Sequence, residues 1–599
     1  MADGVPATTC SRLKEAAQAE FGNLQNSVKS EKKYNHSRDA MRAIRRMGVG
    51  WRVPLDIFKH ICSNGEVLKI TYMHPKKLAG FLMEKHPMVL LGNPSVDAAE
   101  SICEAYWEAY RNFHGTHEVY RLFENELRWC IPIAVHGDEG RGKRRSNTTV
   151  VSWEAVLGLK GKSSCDECVP SHMNLSEEQR DIDVHATAKS LRSNMQGHSF
   201  LQHFPCFVLP GTLGKQVYEK LLAEIMEFMS SQLSELFYNG FVVDGVTWRL
   251  VVVGCKADLK WHSKVCKLTR GFENKSSTRD LAQCHWCHAG MPGVPAEEQG
   301  PTATWTRSMF TDRPWLPQKR PYQLKIPFDS QRPEYLYKCD QFHCLRLGLY
   351  RHFAGSCIFW ILRTGFFLVG GQVHEKLDAA WGHFKMWQTM TGKRAALRSF
   401  SPSLFNYDSR RSYPWINCKA SDCLLCLEWI ISLCVGVLND HRLGPNQLPT
   451  VEVMLSSARL AVRWFKLVYG HGLWLSPSCG AYLYEVGASF LKGYAILADH
   501  AWEDQQCLWA LVPKFHFHLH TVHELWHQLN SGALVVANPV HWDCSQNEDF
   551  IGRMSRLTRR VDIRVCTSKV LEFYLVKAAI LFQRHFGKLK ASRRKGGKA

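Results

Sequence analysis

The chain has 599 residues, of which 45% are hydrophobic and 11% aromatic, and it carries 75 lysines and arginines against 55 aspartates and glutamates. A chain with 20 tryptophans and 30 phenylalanines has enough apolar surface for a sizeable core, which excludes a disordered polymer. The formal charge of +20 favours a polyanionic partner, although net charge is informative about partners and solubility and not about fold.

The 22 cysteines raise the question of disulfides. The first residues show neither the basic run nor the apolar run of a secretory signal, so we expect reduced thiols that mostly lie in the core. Two apolar stretches, 353–371 and 423–438, contain Arg363 and Glu428 and are near or below the roughly 20 residues that span a bilayer. We therefore predict buried helices and no membrane association.

The N-terminal part of the chain divides into two segments. Residues 1–50 are polar and charge-rich, which is typical of a basic, partly disordered tail. Residues 51–125 are predicted to be a helical and irregular module, since prolines interrupt its first half and apolar residues recur at helical spacing in its second half.

Residues 126–275 alternate between strand-like and helical patterns. The predicted elements are strands at 130–138, 148–153 and 203–209, a helix at 217–238, and a hairpin at 241–258 with an Asp-Gly turn. Strand, strand, strand, helix, strand is the order of an α/β RNase-H-like core, in which a mixed sheet has flanking helices. We interpret this region as the first part of that core.

The C-terminal part of the chain begins at 276–345, which contains a Cys-x-x-Cys pair and a proline-rich stretch at 292–335 and is predicted to be a zinc-binding loop region. Residues 346–530 are dominated by apolar helical segments and are predicted to form a large, mostly helical insertion in the core. Residues 531–586 then complete the core, and 587–599 form a basic tail.

Two of the strand-like segments run directly into an aspartate. The apolar run from Cys130 ends at Asp138, and the run from Trp248 ends at Asp258. Carboxylates at the ends of buried strands are held rigidly, and two on neighbouring strands can share the divalent metal ions that phosphodiester chemistry needs. The alternative is that both aspartates only cap turns after strands.

The order of these segments resembles that of eukaryotic cut-and-paste DDE transposases of the CACTA and Plavaka-like group. The resemblance covers roughly residues 96–586 and rests on short motifs. These are Ile131 to Asp138, the strand ending at Asp258, Cys284-x-x-Cys287, Asp340-x-x-His343 and Pro513-Lys514-x-His516. It implies an RNase-H fold with two aspartates and a late acid on a helix, Mg²⁺ or Mn²⁺, double-stranded DNA (transposon ends), DNA recombination and a nuclear location. Joining two DNA ends also implies a homo-oligomer.

The third acid is harder to place. Glu548 is preferred, because it opens a helix after the predicted insertion, and Asp549 is next to it. Glu524 and Asp340 are the other candidates. The alternative reading is that Glu548 and Asp549 only stabilise the N-terminus of their helix.

Cys284 and Cys287 have the spacing that binds two thiolates to one tetrahedral zinc ion, but they are half a site. We predict that Cys339 and His343 complete it, with His288 as an alternative ligand; otherwise the two are buried thiols beside a loop. Two further pairs share the spacing: Cys165 with Cys168 in a polar loop, and Cys423 with Cys426 in an apolar helix.

A dense histidine cluster follows the insertion. Strand geometry would align 516, 518 and 520, whereas helical spacing aligns 516, 520, 523 and 527. We predict a structural or phosphate-proximal role in preference to a catalytic zinc.

Basic residues follow both strands that end in an aspartate. They include Lys256, Lys260, His262, Lys264, Lys267 and Arg270 after the second strand and 141–145 after the first. Basic side chains in this position are typical of proteins that contact the phosphate backbone of a nucleic acid.

The sequence therefore predicts a DNA transposase, or a protein derived from one, that performs metal-dependent strand cleavage and transfer with Asp138, Asp258 and Glu548. The alternatives are a transposase-derived nucleic-acid-binding protein that has lost the chemistry, and another RNase-H-like nuclease.

Overall fold

The computed structural model describes residues 50–93, 99–142, 146–158, 186–211, 213–272, 282–309, 311, 325–440 and 443–596. Most of the predicted N-terminal tail and the Cys165–Cys168 pair lie outside the described residues.

Nine strands are found in the described residues. They are β1 Asp56–Ile61, β2 Val67–Tyr72, β3 Cys130–Arg141, β4 Asn147–Ala155, β5 His203–Pro210, β6 Phe241–Val243, β7 Val246–Lys256, β8 Trp474–Leu475 and β9 Val536–Ala537.

The described α-helices surround the strands and form most of the second half of the chain. They are α1 Pro75–Lys85, α2 Met88–Leu91, α3 Ala99–His114, α4 Glu118–Phe123, α5 Ala186–Ser190, α6 Lys215–Tyr238, α7 Leu259–Lys264, α8 Tyr350–Thr364, α9 Val373–Thr391, α10 Ala420–Leu438, α11 Leu448–Gly470, α12 Pro477–Glu503, α13 Pro513–Asn530, α14 Ser545–Thr558 and α15 Cys566–Gly596.

The central sheet has five strands in the order β5-β4-β3-β7-β6. Strands β3, β4 and β5 form an antiparallel meander, α6 follows, and β7 then pairs in parallel with β3. Strands β3 and β7 are buried for most of their length, which is why they read as continuous apolar runs and not as alternating patterns. The prediction of an α/β fold with a mixed sheet is confirmed.

The buried apolar side chains of the described residues form two hydrophobic cores. The first contains the sheet, the N-terminal module and the C-terminal helices, so residues 51–125 do not bury a core of their own. Trp107 of α3 donates a hydrogen bond to the Cys130 carbonyl (2.7 Å), and Tyr574 of α15 donates to the carbonyl of His203 (3.0 Å). The second core lies among α8 to α13 and also contains the Cys284–Cys287 loop.

One helix in the described part of the chain, Ala420–Leu438, is long and apolar enough to cross a membrane by length and composition. Half of its apolar window is buried inside the protein, and it packs against α8 and α11. Cys423 and Cys426 are fully buried there.

Two glycines on β3 allow helices to approach the sheet closely on both sides of Asp138. A Cβ atom at Gly137 would overlap the ring of Trp261 on α7, and one at Gly140 would overlap Ser555 Oγ on α14. The absence of these two side chains thus lets α7 and α14 pack directly against the end of β3.

Gly140→Ala should lower the free energy of unfolding by about 1–3 kcal/mol, because the added methyl group forces α14 away from β3. Gly382→Ala is the matched control, since Gly382 lies in α9 with open space around its Cβ position. The control should raise stability by up to about 1 kcal/mol, the difference in helix propensity. Urea denaturation measures both, and equal effects of the two substitutions would contradict the proposed close packing.

Candidate functional site

The structure brings three carboxylates together at one edge of the central sheet. His136 of β3 pairs with Lys256 of β7, and Asp138 and Asp258 each lie two residues further along their parallel segments. Asp258 caps α7 and accepts a hydrogen bond from the Trp261 N–H (2.7 Å). Glu548 arrives from the first turn of α14, which packs against β3.

Asp138 interacts with both of the other acids. Its pKa is raised well above the usual value, first by burial and then by the adjacent carboxylate of Glu548, with a smaller contribution from Asp258. Like charges this close disfavour ionisation, and a cation that bound between them would relieve the repulsion. The oxygens of the three do not all lie within 4.8 Å of one another, so they are not a compact ligand set for a single small ion.

The other candidates for the third acid are engaged elsewhere. Asp549, next to Glu548, accepts a hydrogen bond from Ser199 Oγ (2.7 Å) and pairs with Arg553 Nε (2.5 Å). Glu524 accepts hydrogen bonds from the Tyr335 hydroxyl (2.7 Å) and from Gln528 Nε2 (3.0 Å). The geometry therefore favours Glu548, whose catalytic role stays a prediction.

Asp340 supports the site indirectly, through a histidine. Its buried carboxylate accepts hydrogen bonds from the backbone N–H groups of Phe342 (2.8 Å) and Cys544 (2.9 Å) and also bonds to His343 Nδ1. His343 Nε2 then lies 3.5 Å from Glu548 Oε1. This chain of contacts orients one imidazole toward the acid cluster.

The environment of His343 stabilises its charged form. Burial opposes the imidazolium, but Asp340, and then Glu548 and Asp258, outweigh burial and raise the pKa of His343 to about 9. A cationic hydrogen-bond donor thus lies among the carboxylates at neutral pH.

A lysine from α13 approaches the same region. Lys514 Nζ donates a hydrogen bond to the Leu347 carbonyl (3.2 Å), and burial lowers the pKa of its ammonium group. The negative charges of Asp340 and Asp258 raise the pKa of Lys514 and so oppose the effect of burial. Lys514 therefore interacts electrostatically with the acid cluster.

A buried polar network ties the helix that carries Glu548 to the sheet. Glu154 of β4 binds Lys256 Nζ (2.6 Å) and His203 Nε2 (2.8 Å), and it accepts a hydrogen bond from Asn547 of α14. Lys256 and His203, acting against burial, hold the pKa of Glu154 well below its usual value. Because Asn547 directly precedes Glu548, this network fixes the third acid relative to the sheet.

The network corrects one expectation from the sequence. Lys256, His262 and Arg270 are buried and contact protein groups, so they do not form a phosphate-binding surface. Lys260 and Lys264 are exposed and can still meet a polyanion, whereas residues 143–145 are outside the described part of the chain.

Four buried side chains form a separate group that can hold a structural zinc ion. They are Cys284, Cys287, His516 and His520, and their ligand atoms all lie within 4.8 Å of one another. Cys287 Sγ lies 3.2 Å from His516 Nε2, and Cys284 Sγ lies 3.3 Å from His520 Nε2. Zn–S and Zn–N bonds of about 2.3 and 2.0–2.1 Å predict tetrahedral S–N edges of roughly 3.5 Å, close to these distances.

The surroundings of this group favour thiolates and oriented imidazoles. The backbone N–H groups of Trp286 and Ala289 donate to Cys284 Sγ (3.3 Å) and Cys287 Sγ (3.4 Å). His516 Nδ1 contacts the Ala296 carbonyl (2.8 Å), which leaves Nε2 for a metal. Burial opposes ionisation of Cys284, but the Cys287 thiol and the imidazoles hold its pKa well below the usual value.

The prediction that Cys339 and His343 complete the zinc site is wrong in this geometry. Cys339 Sγ lies against Cys344 Sγ (3.4 Å), and His343 belongs to the acid cluster. The missing ligands come from α13, where His516 and His520 are one helical turn apart. The signal was present in the sequence as the helical alternative for the histidine cluster.

Comparisons with known proteins add no family to this picture, since no protein-family model matches the chain and no curated protein matches it. The site is therefore interpreted from its own residues.

We expect the purified protein to bind one zinc ion per chain, and Cys287→Ser or His516→Ala should abolish that binding. Loss of the ion should also lower the melting temperature, because the ion joins the loop after the sheet to α13. Metal analysis and thermal denaturation measure both effects. Cys339→Ser is the matched control and should keep the zinc; loss of zinc from the control alone would contradict the assignment.

We expect the imidazole of His343 to titrate near pH 9 in the metal-free protein, which NMR of labelled histidine can follow. Because the folded pKa is raised, the stabilising contribution of His343 is fully present below about pH 6.5 and is lost as the pH rises through about 9. Asp340→Asn should lower the titration midpoint, since Asp340 is the main stabilising charge. An unchanged midpoint in that variant would contradict the pairing.

Proposed function

We propose that the chain is a DDE-type transposase, or a protein descended from one, that binds double-stranded DNA and catalyses metal-dependent cleavage and transfer of strands. The observation that carries the proposal is the meeting of Asp138, Asp258 and Glu548, which are far apart in sequence, at one sheet edge. Structural caps of turns would have no reason to converge with a third acid from a helix.

The topology of the sheet supports the same proposal. An antiparallel meander, then a helix, then a strand parallel to the first is the order expected of an RNase-H-like core. The helical region from α8 to α13 separates the two aspartates from Glu548 in sequence, which agrees with an insertion before the third acid.

The acid cluster offers half-buried carboxylate oxygens, the ligand type that hard divalent cations prefer, and bound cations would relieve the mutual repulsion of the acids. Mg²⁺ or Mn²⁺ held by Asp138, Asp258 and Glu548 would supply an activated oxygen nucleophile and neutralise charge on the leaving oxygen.

The chain's own cationic residues complete the proposed site. His343, charged and held by Asp340, is placed to donate a hydrogen bond to a phosphate oxygen. Lys514 adds a second donor from α13, the helix that also supplies two histidines to the zinc-binding group. We infer that a structural zinc fixes α13, and thereby Lys514, relative to the sheet. Nuclear localisation and assembly of at least two copies belong to the same proposal.

Asp138→Asn, Asp258→Asn and Glu548→Gln should each lower the rate of strand cleavage by on the order of 100-fold or more, because each removes a charge that the reaction needs. The assay is nicking of supercoiled plasmid DNA with Mn²⁺ or Mg²⁺, and a gel-shift titration measures DNA binding separately. Binding should persist in all three variants and weaken with salt.

Asp549→Asn is the matched control, since it changes the adjacent carboxylate, which binds Ser199 and Arg553 instead of Asp138. It should retain nicking within a few-fold of the unsubstituted protein. A wild-type protein that binds DNA and never nicks it would favour a transposase-derived binding protein, and cleavage confined to RNA–DNA hybrids would favour another nuclease of this fold.

A further inference from the structure

A cavity of about 70 Å³ lies where the two hydrophobic cores meet, and its lining does not include Asp138, Asp258 or Glu548. Its walls are mainly apolar and include several aromatic rings. Tyr110, Phe113 and Trp474 contribute from the first core, and Trp286 and Tyr335 from the second. Boundaries between packed units are common places for small-molecule sites, where apolar walls combine with a few polar groups.

One of the polar residues that line this cavity is an unusual lysine. Lys338 lines the cavity and is only 3% exposed, and its Nζ lies 4.2 Å from the centroid of the Trp542 ring. Within the described residues, Lys338 Nζ has no carboxylate at ion-pairing distance. Burial lowers the pKa of Lys338 to about 7, and the more distant charges of Glu524 and Asp329 compensate only in part.

The sheet accommodates this lysine at one position. A Cβ atom at Gly254 would lie 2.6 Å from Lys338 Cγ and 2.8 Å from its Cε. The register of β3 and β7 also shifts at this level, between Ile133 and Ala134. Gly254 therefore provides the space in which the lysine stem crosses β7 to reach the cavity.

Four residues that line the cavity have a buried polar atom without a hydrogen-bond partner in the structure, namely Gln341 Oε1, Trp474 Nε1, His520 Nδ1 and His541 Nε2. Trp474 Nε1 is a buried donor, and His541 Nε2 is also buried and unpaired. His541 Nδ1 faces the Asn538 carbonyl (3.0 Å), and burial lowers the pKa of His541 to about 3, so the imidazole is neutral and its Nε2 is an acceptor. Buried polar atoms without partners are costly, and several around one cavity indicate a missing ligand.

We propose that this cavity is a binding site for a small carboxylate, with Lys338 as its counter-ion and the Trp474 N–H as a second donor. The aromatic walls cover the hydrocarbon part of the ligand, and the lone pair of His541 accepts from a hydroxyl group where the ligand has one. Glu524, which lines the same cavity, does not serve as the counter-ion because its carboxylate binds Tyr335 and Gln528. The cavity volume limits the ligand to a few heavy atoms.

The proposal is tested on the full chain in carboxylate-free buffer by calorimetric titration and thermal denaturation with acetate, at constant ionic strength. Acetate should raise the melting temperature, whereas acetamide, which has the same shape and no charge, should not. Lys338→Met keeps the length of the side chain and removes its charge, so it should weaken acetate binding by at least about tenfold, the usual loss for a charged hydrogen bond.

Trp474→Phe is a second variant that keeps the ring packing and removes the N–H donor. It should weaken acetate binding by a smaller factor, and it preserves the test should Lys338→Met fail to fold. Lys260→Met, at an exposed lysine, is the control and should bind acetate like the unsubstituted protein. Equal effects of acetate and acetamide, unchanged acetate affinity in both cavity variants, or no response to acetate would overturn the proposal. None of these outcomes depends on DNA cleavage.

Discussion

The site depends on the fold holding negative charges together against their repulsion. Asp138 lies on a strand and Glu548 on a helix, and the two carboxylates repel each other. Glu548 therefore raises the pKa of Asp138. The buried network around Glu154 offsets this repulsion by fixing Asn547, the residue before Glu548. Such a buried network is strongly destabilised when one partner is lost, so the helix has one well-defined position on the sheet.

The second constraint is the attachment of the helical region from α8 to α13 to the sheet. Cys284 and Cys287 follow the strands of the central sheet in sequence, and His516 and His520 lie on α13, the last helix of that region. A metal ion bound by all four would close a long segment of chain at a single point. That closure would hold α13, and with it Lys514, near the acid cluster after many intervening residues.

Much of the sheet could be predicted from the sequence, because buried parallel strands give apolar runs and the hairpin turn has Asp244 and Gly245 at positive φ. The hairpin of β1 and β2 was missed, since its exposed isoleucines hide the alternation that marks a half-buried strand. Pairing across long distances could not be predicted either. No local pattern distinguishes Lys256, which is buried against Glu154, from the exposed Lys260, and none joins Cys284 to α13.

One short segment of the chain runs from the cavity to the acid cluster. Tyr337 forms a parallel bridge to Cys255 of β7, and the Lys338 N–H donates to the Cys255 carbonyl (3.0 Å), so the chain runs beside the sheet at this point. Lys338 lines the aromatic cavity, and two residues later Asp340 holds His343 toward the acids. Both residues are anchored to other parts of the chain, Lys338 by its hydrogen bond to β7 and Asp340 by the hydrogen bond that it accepts from the Cys544 N–H (2.9 Å).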